Sequence, residues 1–128
     1  MIPGKYDLTI YRGATFGITF EAKDASLVSV DFDAVYDDFR VVMRPPWVKG
    51  IPSTTAALKT LTLANGGIVL QGSNLQILLT MTAAETAALT FSEGIYELEL
   101  IKDATANPAV AEIIDKLVYG SVTVVGEV

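Results

Sequence analysis

Apolar and polar residues alternate with a period of two through most of this chain. The clearest runs are Tyr6–Tyr11, Thr15–Glu21, Asp38–Arg44, Tyr96–Leu100 and Val118–Val124. In the first run Tyr6, Leu8 and Ile10 share one side while Asp7 and Thr9 share the other. Such alternation is typical of strands with one buried and one solvent-facing side. Together with the shorter runs described next, it predicts seven or eight short strands.

Turn-forming residues separate these runs and predict their connections. Arg12-Gly13 lies between the first two runs and predicts a hairpin there. The clusters Asn65-Gly66-Gly67 and Gly72-Ser73-Asn74 predict tight turns, because Asn and Gly tolerate positive φ angles. They separate the runs Leu58–Leu63, Ile68–Leu70 and Leu75–Leu79. That spacing predicts a β meander. Pro45 and Pro46 predict the end of the Asp38–Arg44 strand, since proline donates no ladder hydrogen bond.

One segment departs from the period of two and predicts a helix. Thr82 is followed three residues later by Glu85, the spacing of a capping box, in which each side chain binds a backbone N–H of the first helical turn. Alanine-rich sequence follows, so we expect one short crossover helix near Thr82–Leu89. The segment Ala104–Asp115 fits either an extended hairpin loop or a helical turn.

These elements predict an all-β fold, either a sandwich or a compact barrel. A chain of 128 residues fits one domain, so we expect a single β-sandwich domain over residues 1–128. The apolar fraction is 51% and the charged fraction 19%, which is the reverse of the composition of disordered chains.

The composition excludes several classes of chemistry. The chain has no His and no Cys, so catalytic triads built on His, thiolate nucleophiles, disulfides and Cys/His zinc sites are absent. A net charge of -6 argues against a nucleic-acid or membrane partner. No signal-peptide pattern or membrane-spanning run occurs in the sequence. We expect no enzyme, no cofactor, no metal site and no small-molecule substrate.

Two groups of acidic residues are the features that could contradict this expectation. The cluster Asp31–Asp38 fails the calcium-loop pattern, because Val35 and Tyr36 stand where an oxygen ligand and a Gly are needed. A looser calcium site and a solvated turn both remain open. Glu97 and Glu99 share one strand face about 7 Å apart. Paired catalytic carboxylates have similar separations, but charged residues on a solvent-facing strand surface are ordinary.

The candidate interaction residues lie in two parts of the chain. Aromatic and arginine side chains are enriched at protein interfaces. The candidates are Arg44, Pro45, Pro46, Trp47, Tyr119 and Val125. Trp47 is either an exposed anchor or a buried cover for one end of the sandwich.

Four blocks in the chain resemble a group of small tailed-phage virion proteins. Tyr6–Phe16 resembles their "YD-x-x-I-x-x-G-x-x-F" start, and Leu79–Leu89 their "L-x-I-S-A-x-E-T-A-A-L" segment. Ile95–Leu100 resembles their "Y-D-L-E-L" strand, and Gly120–Val128 their "G-x-V-T-V-S-P-E-V" ending, except that Val125-Gly126 replaces the "S-P". The segment Ala25–Leu63 has no counterpart in these motifs.

The resemblance implies an immunoglobulin-like β-sandwich that is a structural part of a virion. We expect a tail, neck or baseplate protein that forms a homo-oligomer and binds other virion proteins, assembled in the host cytoplasm. A capsid decoration protein is the alternative within this class. A carbohydrate- or host-surface-binding sandwich is the alternative from another class.

Overall fold

Two β-sheets face each other across one apolar core. The computed structural model describes residues 4–22, 26, 28–46, 57–73, 75–102 and 113–126. The strands in these ranges are β1 (Gly4–Lys5), β2 (Leu8–Tyr11), β3 (Phe16–Phe20), β4 (Asp38–Arg44), β5 (Lys59–Thr62), β6 (Ile68–Gln71), β7 (Gln76–Met81), β8 (Glu93–Lys102) and β9 (Ile113–Val125). The helices are α1 (Phe32–Val35) and α2 (Ala83–Ala87).

The pairing of the strands confirms the all-β sandwich. Sheet A has the order β1-β9-β8-β4-β5, with β2 also paired to β9, and sheet B has the order β3-β7-β6. This division of strands between the sheets is immunoglobulin-like. Two details differ from the expected antiparallel sandwich of seven or eight strands. β1 and β2 run parallel to β9. The described ranges contain nine strands, one of which, β1, is only two residues long.

The predicted hairpin between the first two strands is wrong. β2 pairs with β9 in sheet A, whereas β3 pairs with β7 in sheet B. Both strands direct one apolar side toward the core. The alternation of apolar and polar residues is the same whether two strands lie in one sheet or in two facing sheets, so it does not distinguish the two arrangements. The turn between them therefore carries the chain across the core.

The predicted β meander is only half present. β6 and β7 form an antiparallel hairpin in sheet B, but β5 pairs with β4 in sheet A. The turn at Asn65 thus crosses between the sheets. The Asn65 side chain holds this turn by accepting hydrogen bonds from the N–H groups of Thr62 and Gly67 and donating one to the carbonyl of Thr60.

Helix α2 confirms the predicted capping box and crossover. The Thr82 hydroxyl accepts the N–H of Glu85, and the Glu85 carboxylate accepts the N–H of Thr82, each at 3.1 Å. The helix connects β7 of sheet B to β8 of sheet A. The two reciprocal bonds satisfy N–H groups that have no partner within the helix.

Helix α1 was not predicted, although it covers part of the core. Phe32 and Tyr36 lie four residues apart and are 0% and 6% exposed. Both rings pack edge-on against Phe39 of β4. Burial, together with the hydrogen bond that its hydroxyl donates to Asp115, raises the pKa of Tyr36 to about 12. The Phe32–Tyr36 spacing is the helical signal in this segment.

A polar corner fixes the crossing from β2 to β3. The buried Thr86 hydroxyl accepts the N–H of Gly13 and donates to the carbonyl of Ala14. The Arg12 guanidinium donates to the carbonyls of Leu89, Phe91 and Gly126. Arg suits this role because its planar fork of donors can bind several acceptors at once. The corner therefore ties the crossing to α2, to the start of β8 and to the end of β9.

We predict that Thr86→Val lowers the free energy of unfolding by about 2 kcal/mol, because it leaves the Gly13 N–H and the Ala14 carbonyl without their partner. Thr86→Ser keeps the hydroxyl and is the matched control. Urea unfolding of the two variants measures the difference. Equal stability of the valine and serine variants would show that the hydroxyl does not hold the corner.

Candidate interaction surface

The outward side of sheet A brings residues from five strands onto one surface, which we call the outer face. The strand register sets three rows across it. The first row contains Val42, Glu97, Tyr119 and Lys5, the second Arg44, Ile95 and Ser121, and the third Glu93, Thr123 and Thr9. Beyond them, Tyr11 pairs with Val125. The outer face is therefore built on the long central strands β8 and β9.

The structure places three of the candidate residues on this face. Tyr119 is 42% exposed and Val125 is 41% exposed. They lie six positions apart along β9, which corresponds to about 20 Å. Arg44 is the last residue of β4 and lies opposite Ile95, in the row next to that of Tyr119. Arg44 and Tyr119 thus lie in neighbouring rows with strand β8 between their strands, whereas Val125 lies toward the end of the sheet.

The remaining candidates follow Arg44. β4 ends at Arg44, as the proline pair predicted, with Pro45 partly buried and Pro46 exposed. β4 and β9 both run antiparallel to β8, so their C-terminal ends lie at the same end of the sheet. Both prolines therefore lie toward the end that contains Val125. Trp47 lies outside the described residues.

An open depression of about 350 Å³ lies on the outer face beside Tyr119. It is lined by Lys5, Asp7, Ile95, Glu97, Tyr119 and Ser121, and also by Tyr96 and Gly120. An aromatic ring and an aliphatic side chain thus stand beside groups of both charges. A surface with this mixture of apolar and charged groups is suited to binding another protein or another amphipathic partner.

Beside the depression, Tyr6 and Asp7 connect β1 to β2, and the Tyr6 N–H donates to the carbonyl of Tyr119. At this point the Asp7 carboxylate accepts the N–H of Ser121 at 3.0 Å. This hydrogen bond is the main cause that lowers the pKa of Asp7. The carbonyl of Tyr6 turns toward Gly120 and accepts a hydrogen bond from the Tyr96 hydroxyl. Burial raises the pKa of Tyr96, so this hydroxyl stays protonated to a higher pH than that of an ordinary tyrosine.

Glu97 and Glu99 are each paired with a cation. Glu97 contacts Lys116 at 2.9 Å, and Glu99 contacts Arg40 at 2.9 Å. A β-bulge in the β8–β9 pairing lies between Leu98 and Glu99. Both carboxylates therefore serve ion pairs across neighbouring strands of sheet A.

The acidic segment Asp31–Asp38 contains α1 and the start of β4. Asp38 accepts the N–H of Phe39 at 2.8 Å, so its carboxylate is engaged locally. Across the described ranges, no group of three or more metal-ligating side chains occurs.

Sequence reasoning missed Lys5, Asp7, Ile95 and Ser121 as parts of this surface. Ile95 and Ser121 stand in alternating strands, so their outward direction was readable from the pattern. Lys5 and Asp7 reach the surface through the parallel pairing of the N-terminal strands with β9, for which the sequence carries no local signal.

No model of a known family and no curated protein matches this chain. In the described part of the structure, no helix is long and apolar enough to span a membrane.

We predict that Gly120→Ala lowers the free energy of unfolding by about 3 kcal/mol or more, the range of severe steric substitutions. A Cβ atom at this position would lie 2.1 Å from the Tyr6 carbonyl oxygen. Gly17→Ala is the matched control, because its Cβ would meet its nearest atom, Leu78 Cδ1, at an ordinary 3.7 Å. Chemical unfolding measures both, and equal stabilities would contradict the close approach.

We predict a pH-dependent role for Asp7. Its folded pKa lies below the ordinary value of 3.8, so its contribution to stability is complete above that value and is lost as the pH falls through the folded pKa. Asp7→Asn should therefore be less stable than the wild type at neutral pH, and the difference should be smaller at about pH 2. Urea titrations at both pH values measure this. A difference that persists unchanged in acid would contradict the assignment.

Proposed function

We propose that this protein is a structural component of a tailed-phage virion, in the tail, neck or baseplate. It acts through the outer face of sheet A, which binds other virion proteins. The motif resemblance supports the class of protein. The uneven distribution of exposed apolar residues supports the surface and is the observation that carries the proposal.

Half of the ten large apolar side chains that are exposed in the described residues lie on the outer face of sheet A. These five are Tyr11, Ile95, Ile114, Tyr119 and Val125, each at least 38% exposed. Ile114 lies on this face because it pairs with Ile101 of β8, which is on the same side of that strand as Glu97 and Ile95. In the described residues of sheet B, the outward side presents one comparable side chain, Val69. Exposed apolar residues gathered on one face are typical of protein interaction sites, whereas single ones are ordinary.

Charges around these residues suit a specific contact. Lys5 and Glu97 flank Tyr119 across the strands, and Arg44 flanks Ile95. Aromatic and apolar anchors beside a charged periphery are the usual anatomy of a protein interface. The charges select the partner and the apolar side chains supply the contact area.

The copy number in the particle distinguishes the parts of a virion. A ring in the neck, tail or baseplate predicts about six or twelve copies, in keeping with closed cyclic symmetry. Hundreds of copies would instead support the capsid decoration protein. Quantitative mass spectrometry of purified particles gives this number.

The depression beside Tyr119 gives a specific reason to keep the carbohydrate-binding alternative. An exposed aromatic ring beside the carboxylates of Asp7 and Glu97 offers both an apolar surface and hydrogen-bond acceptors for a sugar. A glycan array tests it. Binding that Tyr119→Ala abolishes would favour this class, and an array without binding would remove it.

We predict that Ile95→Glu reduces incorporation of the protein into particles at least about tenfold, because it places a carboxylate in the apolar part of the contact. Val69→Glu is the matched control, since Val69 and Ile95 are both 38% exposed and lie on the outward sides of opposite sheets. Mass spectrometry of particles assembled with each variant measures incorporation. Equal incorporation would contradict the surface, and absence of the wild-type chain from particles would contradict the function.

A further inference from the structure

The edge strand β3 is open and carries no charge. It is the first strand of sheet B and pairs only with β7 among the described strands. Its sequence is Phe-Gly-Ile-Thr-Phe. Soluble proteins usually protect such edges with charges, prolines or bulges, because unpaired backbone groups can pair with another chain. The edge strands β1 and β5 of sheet A each include a lysine, whereas β3, like the edge strands β2 and β6, contains no charge and no proline.

The register identifies the backbone groups at this open edge. Thr80 donates its N–H to the carbonyl of Gly67, so its backbone points toward β6 and away from β3. Thr80 lies opposite Gly17, which makes this a pair without mutual hydrogen bonds. The direction of the backbone N–H and C=O groups alternates along a strand. Those of Ile18 therefore point toward β7, and those of Gly17 and Thr19 point to the open side.

The apolar positions of β3 are symmetric about Ile18. Phe16 and Phe20 flank it on the inward side, and Gly17 and Thr19 flank it on the outward side. In an antiparallel pair of two β3 strands centred on Ile18, Gly17 of one copy lies opposite Thr19 of the other. Those are the residues whose backbone groups point outward. Such a pair makes four hydrogen bonds and places the two Ile18 side chains together.

The inward side chains of β3 are incompletely covered. Phe16, Ile18 and Phe20 are all partly exposed, and Tyr6 packs edge-on against Phe20 with the ring centroids 5.8 Å apart. A second β3 strand would cover these side chains with identical ones. The other edge of sheet B, strand β6, has less inward apolar surface left to cover, because its inward Ile68 is only 1% exposed.

We propose that two copies of this chain associate through antiparallel pairing of their β3 strands about Ile18. The pairing joins the two three-stranded sheets into one six-stranded sheet. The contact is isologous, with the same strand on both sides of a twofold axis. It uses a different part of the molecule from the outer face of sheet A, so it does not depend on the proposed function.

Disulfide trapping tests the register directly, because the natural chain has no Cys. In the proposed pair the two Ile18 Cα atoms are about 4.5 Å apart, whereas the two Thr19 Cα atoms are offset to about 8 Å. A disulfide requires Cα atoms within about 7 Å. Ile18→Cys should therefore form disulfide-linked dimers at least about tenfold faster than Thr19→Cys under mild oxidation. Random collision would give the opposite order, because Thr19 is the more exposed residue.

Sedimentation measures the association without a covalent link. The wild type should dimerise reversibly at concentrations up to about 0.1 mM. Thr19→Pro removes an N–H that points to the open edge and spares the pairing with β7, so it should weaken the dimer at least about tenfold. Thr19→Val keeps the N–H and should dimerise like the wild type. Circular dichroism and unfolding curves confirm that each variant is folded.

Three results would overturn the proposal: a wild type that stays monomeric throughout this range, equal dimerisation of the proline and valine variants, or faster trapping of Thr19→Cys than of Ile18→Cys. Each of these experiments measures the association of two β3 strands and does not depend on incorporation into virions. A monomeric protein that still enters particles would therefore overturn the β3 pairing alone.

Discussion

The crossing from β2 to β3 is the constraint on which the architecture depends, because it places two successive strands in opposite sheets. Arg12 holds the crossing by donating to three carbonyls from the segments around it, and Thr86 supplies the hydroxyl that pairs the turn's backbone. With the crossing fixed, β2 completes sheet A against β9, and β3 becomes the edge of sheet B. The outer face and the open edge both follow from this one corner.

Local features of the fold were predictable because the residues that cause them are neighbours in sequence. Thr82 and Glu85 define the start of α2 through contacts three residues apart, and the proline pair marks the end of β4. The partner of each strand was not predictable in the same way. Hydrophobic burial specifies which side of a strand faces the core but not which sheet contains it. The tie between Gly13 and Thr86 spans 73 residues, so no local pattern reveals it.

The same distinction applies to the interaction surface. The alternation in β9 places Tyr119 and Val125 on one side of the strand, as the sequence indicated. The placement of Arg44 and Tyr119 in neighbouring rows depends on β8 lying between β4 and β9, which is a property of the topology. Lys5 and Asp7 join the surface only because Gly120 lacks a side chain and lets the carbonyl of Tyr6 come close. That requirement appears once the pairing is known.

The parallel pairing of β2 with β9 also determines how the domain bears mechanical load. The two strands lie side by side and run in the same direction, from Leu8 beside Val122 to Tyr11 beside Val125. If the chain is pulled from its N-terminal side at β2 and from its C-terminal side at β9, the strands are drawn past each other along their length. Their hydrogen bonds are then loaded together in shear, whereas an antiparallel hairpin pulled from its open end would unzip one bond at a time. Tension along the chain is therefore borne in shear by the hydrogen bonds between β2 and β9.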